Sequence, residues 1–259
     1  MFGLMKILVC LKQVPDTTNV RLSEDFTMER DSVAHMMNPA DESALELALR
    51  FRDKHGGHVT VLSMGPTQVE NILREAISRG ADRAVQLTDS AFAGSDTLIT
   101  AQCLREAAMH MGGFDLILCG RRSIDGETGQ VGPMIAALDQ RSCVTNAINA
   151  IFENNALLVD QLTEAGIITW KMHLPALITL CERSYRLRLP TLAGLRHALH
   201  TQVERFTASD LGIAHCGLKA SPTRVTRVSI QPTSIRHCQK LPLDQVLDDL
   251  EKKGVVTLR

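Results

Sequence analysis

Over the first half of the chain, short apolar runs alternate with stretches in which apolar residues recur at helical spacing. Residues 4–11 are an apolar run that ends in the polar segment Lys12-Gln13-Val14-Pro15-Asp16, a pattern that suits a strand buried on both faces. Residues 12–37 are polar and irregular. Asn38-Pro39-Ala40-Asp41-Glu42 then predicts a helix start, with Asn38 as N-cap, Pro39 at the first helical position and two acids at the positive end. Ala44, Leu45, Ala48 and Leu49 give that helix its apolar face. The pattern continues with a strand over 58–63, a helix from Met64-Gly65-Pro66 to about Arg79 that Gly80 ends, and a strand over 84–87. A helix over 96–111, a strand over 115–119 and a helix over 131–139 follow. This alternation predicts an α/β fold, a doubly wound, mostly parallel sheet with helices on both faces.

Beyond about residue 143 the pattern changes. Residues 156–160 and 167–171 flank Glu164-Ala165-Gly166 and predict a β-hairpin extension. Residues 176–181 are a further apolar strand. From about 190 the chain turns polar and loses apolar periodicity, which predicts an extended arm over 190–240 and a short helix over 243–253. The expected organisation is an adenine-nucleotide-binding α/β domain over 1–190, then a partner-recognition segment and C-terminal arm over 191–259. No internal repeat or low-complexity tract interrupts this series.

Composition narrows the function. In 259 residues, 44% are hydrophobic and 22% charged, an ordinary globular mix. With 28 Lys and Arg against 29 Asp and Glu, the formal net charge is -1, which argues against nucleic-acid binding through phosphates. Aromatic residues are only 3%, too few for base-stacking platforms. The seven cysteines form no C-x-x-C pair, so buried thiols in a reducing cytoplasm are the expectation, rather than disulfides or zinc. No apolar run reaches the length of a membrane span, and membrane insertion is not expected. Met1 to Leu11 reads as the first strand and not as a secretory leader.

The richest stretch runs from Gly120 to Pro133, directly after an apolar strand and into a helix. Gly126, Gly129 and Gly132 recur every third residue, where missing side chains admit positive φ and close approach of backbone N–H groups to a ligand. Unpaired N–H groups at a helix start favour an anion, so a phosphate or pyrophosphate is the natural guest. The same composition also suits a glycine-rich surface loop without a ligand, and the carboxylates of Asp125 and Glu127 oppose a phosphate. Neither G-x-G-x-x-G nor a Walker A sequence occurs. With strand order 3-2-1-4, the loops after the first, second and fourth strands would converge where the sheet order reverses, and Lys12 could supply a cation there. The pairs His197/His200 and His55/His58 lack further ligands nearby and read as solvated. No Ser/His/Asp or Cys/His nucleophile arrangement is evident.

The ordered set Lys12-Gln13-Val14-Pro15-Asp16, Asn38-Pro39, Ser63-Met64-Gly65-Pro66, Gly80-Ala81-Asp82-Arg83-Ala84 and the Gly120 to Pro133 loop resembles the β-subunits of electron-transfer flavoproteins, including the FixA-like members. The resemblance covers residues 5–195. It implies a heterodimer with an α-subunit that carries the redox-active FAD, and AMP, or a second FAD in electron-bifurcating members, in this chain. Electrons would pass from a dehydrogenase donor to a membrane quinone reductase or another acceptor, with no catalytic residue in this chain. Residue reading and resemblance together put the cofactor-binding set at Cys10, Lys12, Asn38, Asp41, Met64, Ser123, Asp125, Gly126, Thr128, Gly129, Gln130, Val131 and Gly132. The family's partner-recognition loop matches residues 184–192, with Arg188 and the leucine anchor Leu192 as the partner-binding positions. The Asn, Pro and Tyr of the family's loop are not matched, which leaves the partner open. Two other classes fit less well: an adenine-nucleotide-hydrolysing or adenylating enzyme, which would need a Ser-Gly-rich loop where Lys12-Gln13-Val14-Pro15 stands, and a homodimeric universal-stress-type nucleotide sensor, which the long arm does not suit.

Overall fold

Alternation of side chains along β1 (Lys6–Cys10) sends Ile7 and Val9 to one core layer and Leu8 and Cys10 to another. This is the arrangement of a sheet covered on both faces. The computed structural model describes residues 4–16, 34–224, 226 and 241–255. It divides the chain into two units, Met1–Arg224 and Val225–Arg259. The first is built on a nine-stranded sheet.

After β1 come the short strands β2 (Gln13–Pro15) and β3 (His35–Met37), which pair antiparallel with each other, and then α1 (Pro39–His55) and β4 (His58–Met64). α2 (Glu70–Ser78), β5 (Arg83–Leu87), α3 (Thr97–His110), β6 (Leu116–Gly120) and α4 (Val131–Leu138) follow. The remaining strands of the sheet are β7 (Ser142–Glu153), β8 (Ala156–Thr163), β9 (Gly166–Met172), β10 (Ala176–Leu180) and β11 (Glu204–Phe206). The order is β11-β5-β4-β1-β6-β10-β7-β8-β9. Every pairing from β11 to β7 is parallel, and the β7-β8-β9 end is antiparallel. The strand order therefore reverses between β1 and β6, as expected. α1 and α2 bury Leu45, Leu49, Ile72 and Leu73 on one face, and α3 and α4 bury Ile99, Cys103, Leu104 and Ile135 on the other. The 156–171 hairpin forms as anticipated.

Three local expectations change. β7 is a twelve-residue strand that the pattern did not announce. Its pairings shift register between Ala147 and Asn149, and Asn146 takes φ 53°, so its buried residues Val144, Ala147 and Ala150 fall three apart instead of alternating. The segment expected as an extended arm over 190–240 carries regular elements between 192 and 220, and its residues 225 and 227–240 lie outside the described ones. α5 (Leu192–His200) docks on α2, β11 extends the sheet beside β5, and α6 (Gly217–Ala220) follows. α5 buries only Ala198, and β11 has three residues, so neither leaves a burial signature in the sequence. In the second unit α7 (Leu243–Lys252) forms where a helix was expected, and it buries none of its residues. Finally, Asn38 occupies the N-cap position of α1 but its side chain does not cap it. The side chain instead reaches the loop after β6: Nδ2 donates to the Arg122 carbonyl at 3.0 Å, and Oδ1 accepts from the Ile124 amide at 3.2 Å.

Asp41, in the first turn of α1, joins the two strands at the reversal. Its Oδ2 accepts from the Lys12 amide at 2.7 Å and its Oδ1 from the Gly120 amide at 2.9 Å. Gly120 must be glycine here, because an added Cβ would stand 2.4 Å from Asp41 Oδ1 and 2.6 Å from Ala40 Cβ. Burial pushes the Asp41 carboxyl up to about 7, against the amide bonds and the nearby Lys12 that favour the anion. A raised folded value means that the native state holds a proton which the unfolded chain has already lost between about pH 4 and pH 7. Stability is therefore expected to fall as pH rises through that window. Asp41→Asn should flatten this slope in thermal melts taken across it; an unchanged slope would assign the effect elsewhere. Asp41→Ala leaves two interior amides without an acceptor and should cost on the order of 3 kcal/mol in chemical denaturation.

Candidate functional site

At the carboxyl ends of β1, β4 and β6 lies a cavity of about 510 Å³, within the range of roughly 300–1,000 Å³ usual for small-molecule sites. Of the thirteen expected cofactor-binding residues, Cys10, Lys12, Asn38, Asp41, Met64, Ser123, Gly126, Thr128, Gly129, Gln130, Val131 and Gly132 line it. Asp125 stands beside it. Its Oδ1 accepts from Lys12 Nζ at 2.7 Å, and the same Nζ donates to Ser123 Oγ at 3.3 Å. Partial burial opposes the Asp125 charge, but the bonds from Lys12 and Ser123 outweigh it and hold the carboxyl below the usual carboxylate range. Lys12 is thus matched to a carboxylate and is not a free cation. Glu127 turns outward and pairs with Arg122 at 3.4 Å. The two acids that opposed a phosphate are each answered by a neighbouring cation.

The three glycines of the loop differ in role. Gly129 alone among them has positive φ, +63°. Gly126 is open, with Ser123 Oγ as its nearest neighbour at 3.6 Å from an added Cβ. Gly132 is needed for packing: an added Cβ would meet Thr179 Cγ2 at 2.6 Å and Cys119 Sγ at 3.1 Å. It lets the first turn of α4 sit directly on the sheet. Gln130 is the N-cap of α4 and makes no side-chain cap bond; its Oε1 accepts instead from Thr97 Oγ1 at 2.9 Å. The amides of Val131 and Gly132 belong to the first helical turn, where no helical carbonyl can accept them, and Pro133 has no N–H. These amides and the positive end of the helix dipole favour an anionic group at this rim.

Cys10 and Cys119 are register partners on β1 and β6 and both line the cavity floor. Burial, with a smaller effect of Asp41, pushes the Cys10 thiol up to about 12. Burial likewise raises Cys119 well above its ordinary value. Both are protonated, so the floor is apolar in character and offers no nucleophile. Among the described residues, no group of three His, Cys, Asp or Glu is placed to hold a metal ion.

The structure adds wall residues that the sequence reading missed: Ser95, Asp96, Thr97 and Thr100 at the start of α3, Leu104, the Arg121-Arg122 pair, and Thr223. Asp96 directly before an apolar helical run was a readable N-cap, and its Oδ1 does accept from the Ile99 amide at 3.0 Å. What the sequence did not show was that this second helix start faces the same crevice.

The two partner-binding positions part company. Arg188 lies against α1: Nε donates to Glu46 Oε2 at 3.0 Å and Nη1 to Asp53 Oδ2 at 2.7 Å. Leu192 is 87% exposed at the start of α5. Leu189, which sequence reading passed over, is 79% exposed, and Leu195 and Leu199 continue the apolar stripe along the helix.

A family model described as "Electron transfer flavoprotein domain" matches residues 25–211. Protein FixA of Azorhizobium caulinodans is 39% identical over 96% of this chain and 95% of its own length. The electron transfer flavoprotein subunit beta of Thermoanaerobacterium thermosaccharolyticum is 43% identical, with 88% and 89% covered. The caffeyl-CoA reductase-Etf complex subunit CarD of Acetobacterium woodii is 38% identical over 86% of this chain and 87% of its own length. With a sheet that reverses at this cavity and relatives aligned along most of its length, the chain belongs to the electron transfer flavoprotein family, among the β-subunits and FixA proteins.

Proposed function

We propose that this chain is the nucleotide-holding β-subunit of a heterodimeric, cytoplasmic electron carrier, with AMP or a second FAD bound in the cavity at the sheet reversal. An FAD-carrying α-subunit is its companion, and dehydrogenases and an acceptor such as a membrane quinone reductase are its electron-transfer partners. The observation that carries the reading is the cavity itself: an apolar floor for an adenine, next to a helix start whose amides suit a phosphate. AMP and FAD share the adenosine phosphate that this arrangement fits. The relatives' names support a companion subunit, since one is a subunit beta and another a subunit of an Etf complex. The flavin supplies the redox chemistry. This chain binds, orients and docks. Among the described residues no helix is long and apolar enough to cross a membrane. Leu189 and Leu192 are apolar knobs of the kind that seat in a partner's pocket. Residues 191–259, the expected partner-recognition segment, contribute this docking helix to the contact with the α-subunit.

Co-expression with an α-subunit and denaturation of the purified complex should release either one flavin and one AMP, or two flavins, per heterodimer. A complex that forms and yields no adenine nucleotide beyond the α-subunit's FAD would remove the cavity assignment. Gly129→Val forces a β-branched residue into φ +63° and should lower nucleotide occupancy about tenfold in the same assay. The double change Leu189→Ala and Leu192→Ala should raise the KM for this carrier in dehydrogenase assays about tenfold and leave kcat unchanged. An unaltered KM would place the docking point elsewhere.

A further inference from the structure

We propose that residues 217–224 are a strap that closes one wall of the cavity, with Asp96 as the positioning residue that latches it and so sets how long the nucleotide stays bound. The proposal rests on the reading of the cavity as a nucleotide site. Thr223, on the strap, lines the cavity. Asp96 Oδ2 accepts from both the Thr223 amide, at 3.0 Å, and the Thr223 hydroxyl, at 2.7 Å. The Asp96 amide donates to Ser221 Oγ at 2.9 Å, and the Gly217 amide donates to Ser95 Oγ at 3.1 Å. These anchors converge on the Ser95-Asp96 pair at the mouth of α3, and the Leu218 amide adds a bond to the Ala93 carbonyl at 2.9 Å. The same carboxylate caps that helix through its other oxygen, so strap and cavity wall share one acceptor.

The strap fits closely but buries little. Gly217 has φ +70°, and an added Cβ there would stand 2.2 Å from the Ala91 carbonyl oxygen. Gly217 and Ser221 are buried and Ala220 packs against the core, yet Leu218 is 54% exposed, and Lys219, Pro222, Thr223 and Arg224 are exposed as well. A short segment held mainly by polar bonds, with Ala220 as its apolar contact to the core, can open locally. Opening it removes Thr223 from the wall. By reciprocity, a ligand that touches the closed wall must also hold the strap closed.

The test uses the full chain, with AMP and FAD as probes. Asp96→Asn keeps Oδ1 for the α3 cap but puts a donor NH2 where the Thr223 amide and hydroxyl need an acceptor. Thr223→Val removes the hydroxyl at nearly constant shape. Dissociation of the bound probe should speed up about tenfold in Asp96→Asn and several-fold in Thr223→Val, with association no slower, since each change removes a bond to an ionised acceptor. Trypsin cleavage after Lys219 and Arg224 should slow in the wild-type chain when the probe is present. Wild-type release rates in both variants, with cleavage indifferent to a probe that does bind, would overturn the strap and leave the site standing. If the wild-type chain binds neither AMP nor FAD, the site reading fails first and the strap with it.

Discussion

Asp41 accepts the amide hydrogens of Lys12 and Gly120, so one interior carboxylate ties together the chain leaving β1 and the chain leaving β6. These are the two strands between which the sheet order reverses. Two parallel strands whose connections run in opposite directions part at their carboxyl ends, and the crevice between them is where α/β folds bind ligands. Asp41 fixes how far they part. Asn38, one turn earlier, pins the next stretch of the same loop through Arg122 and Ile124. The cavity is therefore shaped by bonds within the chain.

The electrostatics of the site follow from matching. Asp125 faces Lys12, Glu127 faces Arg122, and Glu182 bridges Arg121 and Arg122. With these side chains answered, the rim's remaining preference comes from backbone amides at the start of α4. On the proposed reading, such a site would hold a phosphate by position more than by net charge. That suits a chain whose formal net charge is -1. It also suits the proposed role, in which this subunit would keep a nucleotide in place while a flavin does the chemistry.

The outer surface carries a different signal. Leu189, Leu192 and Leu199 stand out around α5, and Ile167, Ile168 and Trp170 are uncovered on β9. Clusters of exposed apolar side chains mark surfaces that associate. Arg188, which the sequence grouped with Leu192, is held against α1 by Glu46 and Asp53 and so braces the loop from which Leu189 projects.

Local spacing sufficed for the parts of this protein whose burial is regular. The two-sided apolar runs of β1, β4, β5 and β6, and the helices α1 to α4, could be read directly, because the strands are largely apolar runs bounded by polar turns and the helices repeat apolar residues at helical spacing. The loop from Gly120 to Pro133 was legible by composition: glycines that admit positive φ and close backbone approach follow an apolar strand and precede a proline that a first helical turn accepts. The pattern failed at β7, where a register shift breaks the alternation, and at α5 and β11, which bury too little to leave one. Tertiary structure alone decided what the polar groups of the site face. Asn38 reads as a helix cap and becomes a tie to a loop 84 residues away; Lys12 reads as a free cation and becomes the partner of Asp125; Thr223 gives no sign in sequence of reaching the cavity. Such pairings join residues far apart along the chain, and periodicity carries information only about neighbours.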